Sequence, residues 1–415
     1  MNHWRRLNLQ IEDWVGGRGR VGKYWRRGRL IMANSVHSLV GIVFSPLISY
    51  LVIQRGSLRL WGELVAILVV VQLGAHIVGW GHKGYLVRAF SQQPAEVGRL
   101  WWENVATRGR VGVLFLLFLL WWGGEQLGLA VFWWGVGLLW YQAQDSLVVY
   151  RQRFALAAGV ELTGLIGLFL LIWWWPWALT VRDLAWLWAL FVCLKGVCLG
   201  WGLWEGVPRG WWRGYNGRYW RLALPFFLMG FAGMIQSRID LYAVNYYLAA
   251  EEVAQYQILI NYLLYVQALA NFILQPFVKV LYRLPLPAVI KIAGWLGLAG
   301  MGLTGPALWF LQWILPRWYQ FELTSGLLWW GGVYIVPIYF YLPLIYLVYK
   351  NKQEYFVIGV TASSALLNLM LNIWLTPQKG LEGALMATAI ANLFMFALYA
   401  GWAWQKRDEK GIQDE

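Results

Sequence analysis

Apolar residues in this chain come in long, unbroken runs separated by short polar breaks, without the period-two alternation of a β-strand. A membrane span needs roughly 20 such residues. Twelve runs approach that length: Leu30 to Ile53, Trp61 to Gly81, Val111 to Trp122, Leu127 to Val149, Ala155 to Trp175, Leu184 to Trp204, Leu222 to Leu248, Gln255 to Val278, Ala288 to Leu315, Gly326 to Tyr349, Tyr355 to Leu375 and Gly383 to Trp404. The third is the shortest. In hydrocarbon a backbone must satisfy its own polar groups, so only helices or closed barrels cross, and continuous runs select helices. The pattern predicts an all-α polytopic membrane protein of about 12 transmembrane helices.

Composition agrees with that reading. Of 415 residues, 60% are hydrophobic and only 13% charged, where a soluble globule carries about 25%. The net charge of +14 raises nucleic acid as a partner, but its placement argues otherwise. Of 34 Lys and Arg residues, 27 fall on the termini and one set of alternate connections, and only 5 on the other set. That asymmetry predicts cytoplasmic termini in a plasma (inner) membrane protein, with no nucleic-acid partner. The arm 1–29, rich in Arg and Gly, lacks a signal-cleavage pattern and is expected to lie on anionic lipid heads. Tryptophan clusters such as Trp173 to Trp175 and Trp211 with Trp212 fall at run ends, where amphipathic rings anchor. Cys193 and Cys198 sit about 140° apart on one helix and cannot bridge each other.

The basic stretch 205–221 divides the runs six and six, giving an N-terminal lobe 30–204, a C-terminal lobe 222–404 and a tail 405–415. The halves resemble each other. "VQLGAHIVGWGHKGYLVR" from Val71 aligns without a gap on "VQALANFILQPFVKVLYR" from Val266, placing Gln72 over Gln267 and His76 over Asn271. Both halves start on the same side, so the repeat is parallel, an architecture with its substrate site between the halves.

Polar residues interrupt the runs at helical spacing. The eighth carries Gln267, Asn271 and Gln275; the second carries Gln72 and His76; the first carries Asn34, His37 and Ser38. Recurrence in both repeats favours a wet cavity for the second and eighth. Ser364, Asn368 and Asn372 in the eleventh, with Thr388 and Asn392 in the twelfth, read as helix-to-helix hydrogen bonding. The seventh run, "GMIQSRIDLYAVNYY", takes Arg238 and Asp240 into hydrocarbon. They lie about 200° apart on a regular helix and do not pair with each other. Such intramembrane ions line water, bind substrate or pair with another helix. Glu161 and Lys195, at similar depth in the fifth and sixth runs, are a candidate structural or gating pair or substrate contacts. Asp145, within two turns of Arg151, reads as part of the cytoplasmic rim. No phosphate-cradling Gly-rich loop, paired-Cys metal spacing or His-Glu-x-x-His motif occurs, so neither an enzyme nor a cofactor is expected.

Three segments carry a family resemblance. "RLALPFFLMGFAGMIQSRIDLYAVNYYLAAEEVAQYQILINY" resembles the seventh-to-eighth helix region of polysaccharide-type flippases, with a Pro at the helix entry followed by Arg-x-Asp. "LLNLMLNIWLTPQKGLEGALMATAIANLF" is similar to their eleventh-to-twelfth hairpin, and "GWGHKGYLVRAFSQQP" to the end of their second helix. The family belongs to the multidrug, oligosaccharidyl-lipid and polysaccharide exporter superfamily, and the nearest branch is O-antigen-like. The chain departs from the family pattern at Ala254, Gln255 and Tyr256 and at Gly383, Ala384 and Leu385. The resemblance implies a V-shaped cavity between lobes and alternating-access flipping of a polyprenyl-diphosphate-linked oligosaccharide for cell-surface polysaccharide. On that reading Arg238 attracts the diphosphate, Gln72, His76, Gln267, Asn271 and Gln275 bond sugar hydroxyls, and Asp240 couples to H+ or Na+. The protein is expected to work as a monomer among membrane lipids, alongside glycan-assembly proteins. A multidrug exporter of the same superfamily, a membrane glycan polymerase or ligase, and a non-transporting scaffold are the rival readings.

Overall fold

A computed structural model describes residues 44–203, 206, 214–274 and 277–411. The basic arm, Asn34, His37, Ser38 and Gln275 lie outside the described residues. The helices are α1 (44–55), α2 (Leu58–Gly79), α3 (His82–Gln92), α4 (Val97–Trp122), α5 (Gly124–Ala143), α6 (Asp145–Arg151) and α7 (Phe154–Trp173), then α8 (Val181–Gly202), α9 (Arg218–Tyr247), α10 (Ala250–Leu274), α11 (Val278–Leu281), α12 (Leu286–Tyr319) and α13 (Ser325–Lys350). The last run, Glu354–Gly411, is broken at Gly380, whose φ of 59° and ψ of −136° leave the helical region, and so comprises α14 before the break and α15 after it. No strand occurs among the described residues, and nine helical runs there are long and apolar enough to cross a membrane, the last including both α14 and α15.

Local chemistry sets the ends. Ser57 and Thr324 cap α2 and α13 by accepting from Leu60 N–H and Leu327 N–H. Thr180 and Asp183 form a reciprocal capping box that starts α8. The expected third span proves to be the C-terminal part of the 26-residue α4. Its polar first turns are stitched by Arg99 to Glu96 and Glu103, and Trp101 and Trp102 are buried there, so the helix runs on where hydropathy falls. The expected fourth span ends early, at Ala143. Gln144 Nε2 turns to donate to Gly196 O at 2.7 Å, and Asp145 opens a new helix.

Packing divides the chain into two compact units that cut across chain order. One holds His82–Trp174 and Trp186–Tyr219, the other Ile48–Gly81, Trp175–Ala185 and Trp220–Glu415. The first is cored by Leu86, Phe90, Trp101, Trp102, Leu147 and Leu199; a core of the second contains Val289, Tyr341, Val348, Tyr399 and Trp402. Within the second, α2 packs along α10, the two helices that the sequence alignment pairs across the halves of the chain. Their C-terminal ends, Gly79 and Leu274, occupy equivalent positions of the aligned repeats.

Gly62 is the tightest point of that contact. A Cβ there would stand 1.7 Å from the Ala250 carbonyl oxygen, while the neighbouring Trp61 Nε1 donates to Gln257 Oε1 at 3.1 Å. Gly62→Ala is therefore expected to destabilise by roughly 1–3 kcal/mol, as overpacking does. A thermal unfolding curve of the purified variant that matches the wild type would refute the contact.

Candidate functional site

The charged stretch of α9 resolves into two different environments. Asp240 is only 1% exposed, yet its carboxylate is well provided with donors. Tyr256 O–H on α10 donates to Oδ2 at 2.6 Å, and Leu241 N–H donates to Oδ1 at 2.8 Å. Thr388 Oγ1 on α15 also lies 3.2 Å from Oδ2. Arg238, half-buried, points Nη1 at Asn261 Oδ1, 3.4 Å away on α10. As the helical geometry requires, no ion pair joins the two; Asp240 is held instead by neutral donors.

Around Thr388 the oxygens outnumber the protons. Its hydroxyl has one hydrogen, but three acceptors stand within bonding distance: Asp240 Oδ2 at 3.2 Å, Asn368 Oδ1 at 3.3 Å and Ala384 O at 3.2 Å. Asn372 Nδ2 donates to Asn368 Oδ1 at 2.8 Å, and Thr376 Oγ1 donates to Asn372 Oδ1 at 3.1 Å. Asn368, Asn372 and Thr376 are fully buried. Beside them both side-chain polar atoms of Gln236 are buried without a partner. Four helices, α9, α10, α14 and α15, thus converge on a buried, oxygen-rich cluster bearing one carboxylate. Oxygen donors of this kind suit a proton or a hard cation. Among the described residues no group of three or more His, Cys, Asp or Glu could hold a metal ion.

The remaining expected residues separate. Gln267 is buried and donates from Nε2 to Tyr334 O at 2.7 Å, an acceptor it shares with Asn392 Nδ2 at 3.3 Å. It therefore ties α10 to α13. His76 stands beside the stacked pair Phe227 and Phe231, with ring centroids 6.0 and 6.1 Å away, and its Nε2 is buried without a partner. Its neighbour Trp80 stacks on Phe227 at 4.1 Å, so this end of α2 is a packed aromatic cluster. Gln72 and Asn271 are exposed on α2 and α10.

Glu161 and Lys195 do meet. Lys195 Nζ donates to both carboxylate oxygens at 3.0 Å, and Tyr141 O–H donates to Oε2 at 2.9 Å. The side chains are only 17% and 11% exposed. The ammonium also lies 4.9 Å from the Tyr141 ring centroid and 5.1 Å from that of Phe191. A cavity of about 220 Å³ between α7 and α8, lined by Thr163, Gly167, Leu190 and Cys198, opens beside this pair. Asp145, read as a rim residue, lies 3.7 Å from Lys83 Nζ.

Sequence reasoning missed Tyr256 as the Asp240 partner and assigned Asn368, Asn372 and Thr388 only to helix packing. Their spacing four apart was visible; their convergence on Asp240 was not.

No family model matches the sequence, and no curated protein matches it in sequence. The fold does have solved counterparts. The lipid II flippase MurJ, in an inward closed conformation, superposes with a TM-score of 0.67 at 12% identity over 89% of this chain and 86% of that one. An inward-facing multidrug resistance MATE-family transporter of the MOP superfamily gives 0.53 at 10% identity over 91% and 98%. The chain is an integral membrane protein with the fold of MOP-superfamily transporters.

Proposed function

We propose that this protein flips a polyprenyl-diphosphate-linked oligosaccharide across the plasma membrane by alternating access, for cell-surface polysaccharide synthesis. The carrying observation is the resemblance in fold to a lipid II flippase over most of both chains. Arg238 supports the reading. Its one hydrogen bond among the described residues is long, 3.4 Å, and to a neutral amide, which leaves guanidinium donors for a phosphate. The Asp240 cluster is the proposed coupling site: three acceptors around one hydroxyl proton make room for H+ or Na+, whose arrival would satisfy oxygens that now compete. Glu161 and Lys195 are assigned to coupling or gating in the other unit, while Gln72 and Asn271 keep their place as sugar contacts on exposed faces. Gln267 and His76 contribute through packing before any substrate contact.

The test is reconstitution into liposomes with a fluorescent lipid-linked oligosaccharide, reading its protection from an added glycosidase. Arg238→Ala is expected to slow flipping by about 10- to 100-fold, the loss of a charge-assisted hydrogen-bonding group worth roughly 1.5–3 kcal/mol. Unchanged flipping at equal protein abundance removes Arg238 from the mechanism. The resemblance to a multidrug transporter supports a second reading, export of aromatic cations. Dye efflux from intact cells, with no flipping in liposomes, would select it.

A further inference from the structure

Arg108 lies eleven residues into α4 and is 4% exposed, yet the carboxylate expected beside a buried guanidinium is missing from its immediate contacts. Among the described residues its one hydrogen bond runs from Nε to Asn104 Oδ1, at 2.7 Å. Both terminal nitrogens of the fork are left without an acceptor. Asn104, equally buried, leaves its own Nδ2 unpartnered. Burying a cation costs several kcal/mol unless its hydrogens are satisfied, so the arrangement lacks an anion.

The buried Tyr219 hydroxyl faces both Arg108 and Asn104 but is neutral, and the charges facing this point do not supply an anion. Asp145 on α6 is close enough for its charge to act on Arg108, but Lys83 on α3 draws on the same carboxylate from 3.7 Å. Glu96 and Glu103, near the start of α4, are held by Arg99 at 2.9 and 3.3 Å. Arg110 is turned onto the Tyr215 ring, 4.5 Å from its centroid, and His82 Nε2 faces Gln142 O at 2.8 Å. Two cations therefore answer to one carboxylate; the buried Asn104 Nδ2 has no hydrogen-bond acceptor, and among the described residues none bonds the terminal nitrogens of the Arg108 fork.

We propose that Arg108, Asn104 and Lys83 form a binding site for a phosphate group. A guanidinium fork matches two phosphate oxygens, and Asn104 Nδ2 offers a third donor. A carboxylate, with two oxygens, would leave part of this set unfilled. Lys83, 57% exposed, stands on the open side as a point charge that draws the anion in. The phosphate is either the headgroup of an anionic phospholipid or a soluble phosphate compound. The site uses none of the residues assigned to the transported substrate, so it stands or falls apart from that assignment.

Thermal unfolding of the full-length protein in neutral detergent tests it. The additives are phosphatidylglycerol, phosphatidylcholine, inorganic phosphate and pyrophosphate, applied to wild type, Arg108→Gln and Lys83→Ala. Phosphatidylglycerol is expected to raise the wild-type melting temperature, phosphatidylcholine is not, and the rise should vanish in Arg108→Gln. Lys83→Ala should bind about tenfold more weakly, a change of roughly 1.4 kcal/mol. A rise with phosphate or pyrophosphate as well assigns the site to soluble anions; a rise with phosphatidylglycerol alone assigns it to lipid. No rise with any anionic additive, or an equal rise in Arg108→Gln, overturns the proposal. Should Arg108→Gln fail to fold, Lys83→Ala decides alone, because its residue is exposed: unchanged affinity overturns the site.

Discussion

Asp240→Asn is expected to leave the protein folded while lowering ion-driven transport about 100-fold, the upper range of a coupling free energy between two sites. The substitution keeps the volume of the side chain and one of its acceptors. It removes the only carboxylate in the cluster and turns an amide donor toward groups that already donate, Tyr256 O–H and Leu241 N–H. Tyr256 can answer by accepting, so the expected loss of stability is modest, about 1–3 kcal/mol. Transport has no such remedy, because an amide neither takes up a proton nor offers a cation its charge. The measurement is flipping in liposomes under an imposed Na+ or pH gradient, with protein recovery as control. Gradient-driven flipping by Asp240→Asn at the wild-type rate would rule out coupling at this cluster.

Lys195→Ala is the second large effect, and it acts on stability. It leaves Glu161 buried with Tyr141 as its remaining partner. Removing one member of a buried pair costs about 3–5 kcal/mol, most of it the penalty of the charge left behind. Glu161→Gln combined with Lys195→Met removes both charges at similar volume, and should recover most of the stability. Melting temperatures of the single and double variants measure the difference. Equal values for wild type and Lys195→Ala would show that the pair contributes nothing. A stable double variant that transports normally assigns the pair to structure; one that is stable but inactive assigns it to gating.

Much of the architecture was legible in the run lengths. Whether a stretch of apolar residues forms a buried helix is settled locally, by backbone hydrogen bonding and hydropathy, and α7, α8, α10 and α12 appear where the pattern placed them. The bounds failed where polar residues stay helical. In α4 the ion pairs of Arg99 and the buried Trp101 and Trp102 carry the helix into a region that hydropathy reads as a loop. The candidate site was half legible. A carboxylate inside a span announces itself by its cost, and so did Glu161 with Lys195. The stripe Gln72, His76, Gln267 and Asn271 suggested one wet surface, but the structure buries Gln267 and packs His76 among aromatic rings while leaving Gln72 and Asn271 exposed, because helical spacing fixes which face a side chain is on and not what packs against that face.

By itself, the sequence determined the membrane class, the helical runs and the presence of ions in the seventh span, since each follows from the free energy of single segments in lipid. Only the tertiary structure decided that α2 packs along α10, that Tyr256 and Thr388 meet Asp240 with Asn368 behind Thr388, and that Arg108 is buried against Asn104. Those facts depend on contacts between residues far apart in the chain. Local propensity carries no record of such contacts; they come from the mutual fit of helix faces.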